Sequence, residues 1–219
     1  MTHNVSTYTI TSADVMCIFM RYRYMKNIIF ILLSEAVMIC VLSNICMHKS
    51  NMKQKNTEKA VKMENLILKQ MKCFPIPISY RDRIYYTDTY GAARQNGNSH
   101  EGCDLMDEKN SPGEIPIVSA TDGVVTNLGW LYLGGYRVGI TDKNNIYYYY
   151  AHLNSYAAGL EAGDSVKAGQ LLGFMGNTGE GEEGTTGKFN VHLHFGIYIR
   201  NQSGNEETVN AYPYLKNLE

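Results

Sequence analysis

The sequence predicts an all-β domain of packed antiparallel strands, preceded by an N-terminal transmembrane helix and a short helical stalk. Two observations carry that expectation. The first is a break in composition: of the 219 residues, all 20 glycines and all 5 prolines lie after residue 73. Up to residue 72, ten Lys+Arg stand against four Asp+Glu, whereas from residue 73 onward ten stand against seventeen, so a segment of net +6 joins one of net −7. The second is periodicity. A 20-residue apolar run occupies residues 28–47, and short β-rich runs separated by turn signals fill the sequence from residue 115. Overall composition, 44% hydrophobic and 19% charged, excludes collagen-like, disordered and multi-span membrane classes.

Residues 1–27 are an N-terminal tail. Within it, Met25-Lys26-Asn27 ahead of the apolar run reads as the start of a bacterial export segment, which makes residues 1–24 an upstream extension. The run at 28–47 (IIFILLSEAVMICVLSNICM) has Glu35 as its only charge. At about 1.5 Å per residue it spans the roughly 30 Å hydrocarbon core of a bilayer. A carboxylate there costs about 2.5–3.5 kcal/mol, which the surrounding Ile, Leu, Phe, Val and Met outweigh. A cleaved signal peptide needs a small-x-small site after the apolar run. Ser43-Asn44-Ile45 is a poor one, so an uncleaved anchor is expected. Flanking cations orient it weakly, because Arg21, Arg23 and Lys26 precede it and Lys49, Lys53 and Lys55 follow. Residues 48–73 are polar, with Val61, Met63, Leu66, Ile67, Leu68 and Met71 at roughly helical spacing, and read as a stalk. Phe74-Pro75-Ile76-Pro77 stops any helix, because proline lacks a donor and restrains the residue before it. The globular domain is therefore set at 74–219.

Within that domain, residues 115–120 and Val124-Val125 flank a turn at Asp122-Gly123 and suggest one hairpin. Residues 136–141 and 146–151 flank Lys143-Asn144-Asn145 and suggest a second, and 166–175 and 191–199 are further strands. No long amphipathic helix is evident. The acidic balance argues against nucleic acid as a partner, since phosphate binding needs a basic face.

Six histidines are present. His3 and His48 lie in the anchor region apart from the other histidines and read as surface or interfacial residues. The other four fall in three motifs: His100-Glu101-Gly102-Cys103-Asp104, Tyr150-Ala151-His152-Leu153 and His192-Leu193-His194-Phe195. On a strand, alternation puts His192 and His194 on one face with Gly196 and Tyr198, and puts Val191, Leu193, Phe195, Ile197 and Ile199 on a core face. His100 and Asp104, four apart, share one side of either a strand or a helix. The same alternation turns Cys103 towards the core. Imidazole and carboxylate are good zinc ligands, and a catalytic zinc site keeps three protein ligands and one open position. The chain thus supplies a His, Asp, His set with two histidines left for proton handling.

These motifs resemble the lysostaphin- and LytM-like zinc endopeptidases of bacterial cell-wall metabolism, peptidase family M23. The family pattern H-x-x-x-D, a strand-end H-L, and H-x-H appears in order as His100/Asp104, His152 and His192/His194. The likeness extends to Tyr90-Gly91, Ala120-Thr121-Asp122-Gly123, Gly163-Asp164, Gly176-Asn177-Thr178-Gly179 and Asn210-Ala211-Tyr212-Pro213, and covers nearly all of 74–219. It implies a β-sheet metallopeptidase domain that holds Zn2+ through His100, Asp104 and His194, with His152 and His192 as the catalytic pair. Zinc lowers the pKa of a bound water towards about 7 and polarises the scissile carbonyl. One histidine then takes the water proton while the other stabilises the oxyanion, and which does which stays open. Three departures mark this chain. Gly196 stands where relatives often carry an acidic or polar residue. The GEGEEGTTGK loop at 179–188 is longer and more acidic than usual. Arg94 lies where some relatives place a tyrosine, either as an electrostatic substitute or as a surface arginine.

Other signals are weaker. The loop at 181–188 lacks the Ser/Thr of a phosphate loop after Lys188, and the 163–169 hairpin carries no carrier-type lysine. Cys73 and Cys103 are the only candidate pair outside the anchor region, and no disulfide is assumed. Tyr147 to Tyr150 form a strand whose outward rings either line a groove or pack on the sheet. The resulting expectation is a membrane-anchored, outward-facing zinc endopeptidase acting on peptidoglycan peptides, or a secreted one if the N-terminal segment is cleaved. The alternative is a non-catalytic LytM-like envelope scaffold or an activator of another cell-wall hydrolase, and a protein partner is left open.

Overall fold

The computed structural model describes residues 12–94, 97, 99–200 and 205–219, so most of the expected upstream extension's first half lies outside the described residues. The chain divides into two units, Met1–Val61 and Lys62–Glu219. The described residues of the first are helix. α1 (Ser12–Gln70) is uninterrupted by Gly or Pro, the two residues that most weaken a helix interior. Most of its large apolar residues up to Met47 stay exposed, Phe30 at 73% and Ile39 at 66% among them. It contains a stretch long and apolar enough to cross a membrane.

The second unit begins earlier than the Phe-Pro-Ile-Pro break suggests. Ile67 and Met71 are buried in its core, with Met63 and Leu66 packed partly against it. Residues 63, 67 and 71 recur every fourth position, which places them on one helical stripe. The last turns of the stalk thus belong to the domain, and Lys72 N–H donates to Ala120 O at 2.8 Å.

After a 3-10 turn at Ile78–Arg83, the strands are β1 (Ile84–Tyr85), β2 (Cys103–Asp107), β3 (Pro116–Val118), β4 (Gly123–Leu131) and β5 (Gly135–Thr141). β6 (Tyr147–Tyr156), β7 (Ser165–Val166), β8 (Leu171–Met175), β9 (His192–Arg200) and β10 (Glu206–Val209) follow, and a short α2 (Tyr212–Lys216) closes the chain. They form one antiparallel sheet in the order β1-β2-β9-β6-β5-β4-β7, with β10 beside β9 and β8 bridging β3 and β6. The β5–β6 hairpin lies where its turn signal put it, with Asn145 in the left-handed conformation at φ 60°. The other expected hairpin does not form. β3 pairs with β8, and β4 pairs with β5 and β7, because residues 119–122 carry the chain across rather than back. The single strand expected over 166–175 is two, β7 and β8, separated by a turn in which Gly169 takes φ 83°.

Alternation sorts the two faces. Cys103 and Leu105 of β2, Tyr148 and Tyr150 of β6, and Leu193, Phe195 and Ile197 of β9 are fully buried on the core side. Tyr150 Oη accepts Ala120 N–H at 2.8 Å, which satisfies a hydroxyl that burial would otherwise make costly. At the end of β2, the fully buried Asp107 carboxylate takes a fork from Arg83 at 3.0 Å on each oxygen, plus the N–H groups of Lys109 and Ser111. That clamp fixes the strand carrying Asp104. Ile67→Ala is expected to lower the unfolding free energy by about 2–5 kcal/mol, followed by near-ultraviolet circular dichroism in urea. The exposed Met52→Ala is expected to change it by less than about 0.5 kcal/mol.

Candidate metal centre and its histidine pair

On the other face, Asp104 of β2 is the direct cross-strand neighbour of His194 of β9, and His194 is in turn paired with Ala151 of β6. His100 enters from the segment ahead of β2, where its N–H donates to Ala92 O at 2.8 Å. Three atoms converge: His100 Nε2, Asp104 Oδ1 and His194 Nδ1 lie 2.9 to 3.0 Å from one another. His100 Nδ1 donates to Thr89 O at 3.1 Å, so its proton sits there and Nε2 presents a bare lone pair. Burial raises the Asp104 carboxyl pKa, but the adjoining His100 and His194 rings more than offset this and hold it well below the usual range, so it faces the centre as a carboxylate. Two imidazole edges and a carboxylate converging on one point are the environment of a cation. Two nitrogens and one oxygen suit zinc, whose ligands at about 2.0–2.2 Å stand roughly this far apart. A carbonyl behind a ligating imidazole is the usual outer support of such a ligand.

Close approach of backbone makes room for the third donor. A Cβ on Gly102 would stand 2.7 Å from Nε2 and Cε1 of the His194 ring and 2.7 Å from Phe195 O, so only glycine fits there. Arg94 is not a free surface group: its Nη2 donates to Asp104 Oδ2 at 3.1 Å, which leaves Oδ1 for the centre.

The other two histidines stand together, ring centroids 4.7 Å apart. His152 sits on a β-bulge. Between the Tyr136↔Leu153 and Val138↔Tyr150 pairs, Arg137 of β5 faces both Ala151 and His152 of β6. His152 takes φ 64°, a left-handed conformation unusual for a residue other than glycine, and the bulge re-aims its ring towards the site. Thr178 straps the bulge. Its Oγ1 donates to Leu153 O at 2.8 Å and accepts Tyr136 N–H at 3.0 Å, and its carbonyl accepts His152 Nδ1–H at 2.8 Å. His192 Nδ1 donates likewise to Asn190 O at 2.7 Å, and its Nε2 stands 3.8 Å from Asp104 Oδ1. Phe189 packs edge-on against both rings, at 4.6 and 5.1 Å between centroids. Burial pushes the His152 pKa down to about 3 and lowers that of His192. Both rings are therefore neutral at pH 7, with the proton on Nδ1 and a lone pair on Nε2.

All five residues singled out from the motifs thus gather at one place. Their supports, Thr89, Thr178, Phe189 and Asn190, were not singled out. Three of them act through backbone carbonyls, which leave no side-chain pattern. Only Thr178 had a signal, its place in the Gly-Asn-Thr-Gly turn. The site opens into a groove of about 1480 Å³, along which Tyr147, Tyr149 and Tyr198 lie exposed in part, while Tyr148 and Tyr150 are core. The 179–188 loop forms its rim, tied to the β4–β5 turn by Gly181 N–H to Tyr132 O at 2.9 Å.

Two outcomes follow from this geometry. Gly102→Ala is expected to displace the His194 ring and weaken zinc binding at least tenfold by calorimetric titration, with the fold retained. For His152, a pKa lowered from 6.5 to about 3 means that the folded state binds fewer protons than the unfolded state between those values. Its contribution to stability is full above pH 6.5 and is lost as pH falls towards 3. In chelator-treated protein, His152→Gln is therefore expected to flatten the loss of stability over that range, measured by urea unfolding at successive pH values.

The model of Peptidase family M23 matches residues 98–210. Among curated proteins, the L-Ala–D-Glu endopeptidase of Bacillus subtilis is 41% identical over 148 residues, 67% of this chain and 43% of that protein. Lysostaphin of Staphylococcus simulans is 30% identical over 123 residues, 55% of this chain and 22% of that protein. Among solved structures, a candidate glycyl-glycine endopeptidase LytM of Ruminococcus gnavus superposes with a TM-score of 0.63 at 54% identity, covering 68% of this chain and 60% of that one. The chain spans less than half the length of these two curated relatives. Because the matched segment starts ahead of His100, ends beyond His194 and takes in every donor and both neutral histidines between them, the chain belongs to peptidase family M23.

Proposed function

We propose that this chain is a zinc-dependent endopeptidase that hydrolyses peptide bonds of bacterial peptidoglycan, anchored in the membrane by α1 with its peptidase domain outside. The observation that carries the reading is the convergence of three metal-ligand atoms beside two neutral imidazoles. His100, Asp104 and His194 would hold the metal. Bound there, zinc supplies a Lewis acid that polarises the scissile carbonyl and acidifies water.

The chain's own residues do the rest. His152 and His192, each with Nδ1–H donated to a carbonyl, offer Nε2 as a proton acceptor. As water adds to the carbonyl carbon, one Nε2 takes the proton that water loses and passes it to the departing amide nitrogen. The imidazolium formed in between is an N–H donor for the negative oxygen. Phe189 excludes solvent from the pair and so keeps both rings neutral before the reaction. The bulge and the Thr178 strap hold His152 where a strand position would not place it. An extended peptide fits an open groove with a flat aromatic floor, as a wall cross-link or stem requires. The names of the relatives point to the same substrate class, since one cuts L-Ala–D-Glu and another is a glycyl-glycine endopeptidase. A scaffold that only binds the wall has no use for this donor set.

The anchor follows from α1. The stretch of α1 at 28–47, apolar on all sides apart from Glu35 and largely exposed, is at home in hydrocarbon, and a peptidoglycan substrate lies outside the membrane.

Metal analysis and muropeptide release test the proposal together. Asp104→Ala and His194→Ala are expected to lose both zinc and activity. His152→Ala is expected to keep stoichiometric zinc and to lose about 10²–10⁴-fold in rate, the range of a positioned proton acceptor. Full activity in His194→Ala would overturn the assignment.

A further inference from the structure

Arginines near the site fall into two groups. Arg83 is paired with Asp107 and Glu114, and Arg94 with Asp104. Arg137 is different. It lies half-buried in the wall of the groove, and among the described residues no salt bridge engages it. Its neighbours are neutral: its side chain meets the Tyr147 hydroxyl, its backbone meets that of Tyr156, and Tyr149 lies within reach of its charge. Its Nε is buried without a hydrogen-bond partner. Of the four carboxylates along the groove, Asp104 is taken by Arg94 and the histidines, Glu206 faces Arg200 at 3.9 Å, and neither Glu101 nor Glu180 forms a salt bridge with Arg137. A cation withdrawn from water without an anion is unfavourable unless an anion arrives.

The position of Arg137 relates it to the chemistry. Asp104, His194, Ala151 and Arg137 occupy one row across β2, β9, β6 and β5. Strands are about 4.7–4.9 Å apart, so Arg137 starts roughly 10 Å from His194 along the row. Ala151, between them, offers only a methyl group to the groove floor. Gly139 and Gly134 let Tyr147 and Tyr149 lie flat across β5, since a Cβ on either would strike a tyrosine hydroxyl. A chain advances at most about 3.3–3.6 Å per residue, so this separation is two to three residues of an extended peptide.

We infer that Arg137 forms a carboxylate-binding subsite, which receives a free carboxylate borne by the peptide substrate within two or three residues of the cut. The inference rests on the peptidase reading and deepens it by naming the acidic character of the substrate. Guanidinium is suited to the task because its planar fork matches a carboxylate with two parallel hydrogen bonds.

Binding decides the inference, and cleavage decides the activity. The probe is a pair of soluble muropeptide stems, one with free carboxylates and one with every carboxylate converted to the carboxamide. They are titrated calorimetrically into the zinc-loaded, detergent-solubilised full chain carrying His152→Ala, which binds without turnover. Acid stems are expected to bind about tenfold to a hundredfold more tightly than amides, the range for a hydrogen bond to a charged group. Adding Arg137→Met is expected to close that gap, and Arg137→Lys to retain part of it. Equal binding of the two stems, a gap that survives Arg137→Met, or no binding of either stem overturns the inference. A wild-type chain that fails to cut either stem while the gap persists counts against the peptidase reading and leaves the subsite standing.

Discussion

The pairing of Asp104 with His194 across β2 and β9 sets the geometry on which the rest of the site depends. A slip of one residue in that register would turn one of the two side chains to the core face, because alternation has period two. Several features hold the register. Leu105, Leu193 and Phe195 are fully buried on the opposite face, and the Arg83–Asp107 clamp pins the end of β2. Gly102 lets the His194 ring approach the β2 entry more closely than any other residue would. Once the pair is in place, His100 needs only a carbonyl behind it to present its lone pair, and Thr89 O provides one.

Two imidazoles and a carboxylate gathered this closely are costly to withdraw from water, and a domain selected only for stability would not keep them. The same holds for His152, whose left-handed backbone and burial are both unfavourable. These costs are concentrated in a few ångströms, beside the unbroken β2–β9 and β6–β9 pairings and a tightly buried core. Thr178 makes three hydrogen bonds on either side of the bulge, so the irregular strand is supported at the point where it departs from the ladder. Local strain supported by a rigid frame is the pattern expected where chemistry is done.

Much of this could be read from the residues alone. The H-x-x-x-D, H-L and H-x-H motifs marked the five side chains that gather at the candidate site, because ligand spacing and strand alternation are local properties. Cys103 and the alternating tyrosines fell on their expected faces for the same reason. Longer-range features were not legible. Nothing in residues 115–125 distinguishes a hairpin from two strands that pair with β8 and β5, since partner choice depends on distant segments. The burial of Ile67 and Met71 is likewise invisible without the surface they pack against, so proline punctuation suggested a boundary inside the compact unit. The bulge at His152 has no glycine to announce it. The roles of Thr89 and Asn190 are carried by carbonyl groups that every residue possesses.

The central claim is that His100, Asp104 and His194 alone hold a catalytic zinc, while His152 and His192 remain unligated beside it. Zinc K-edge X-ray absorption of the metal-loaded full chain tests this most directly. The account predicts a four-coordinate centre of two imidazoles, one carboxylate and one further oxygen, at about 2.0–2.2 Å. A third imidazole, or a sulfur from one of the cysteines, would contradict it.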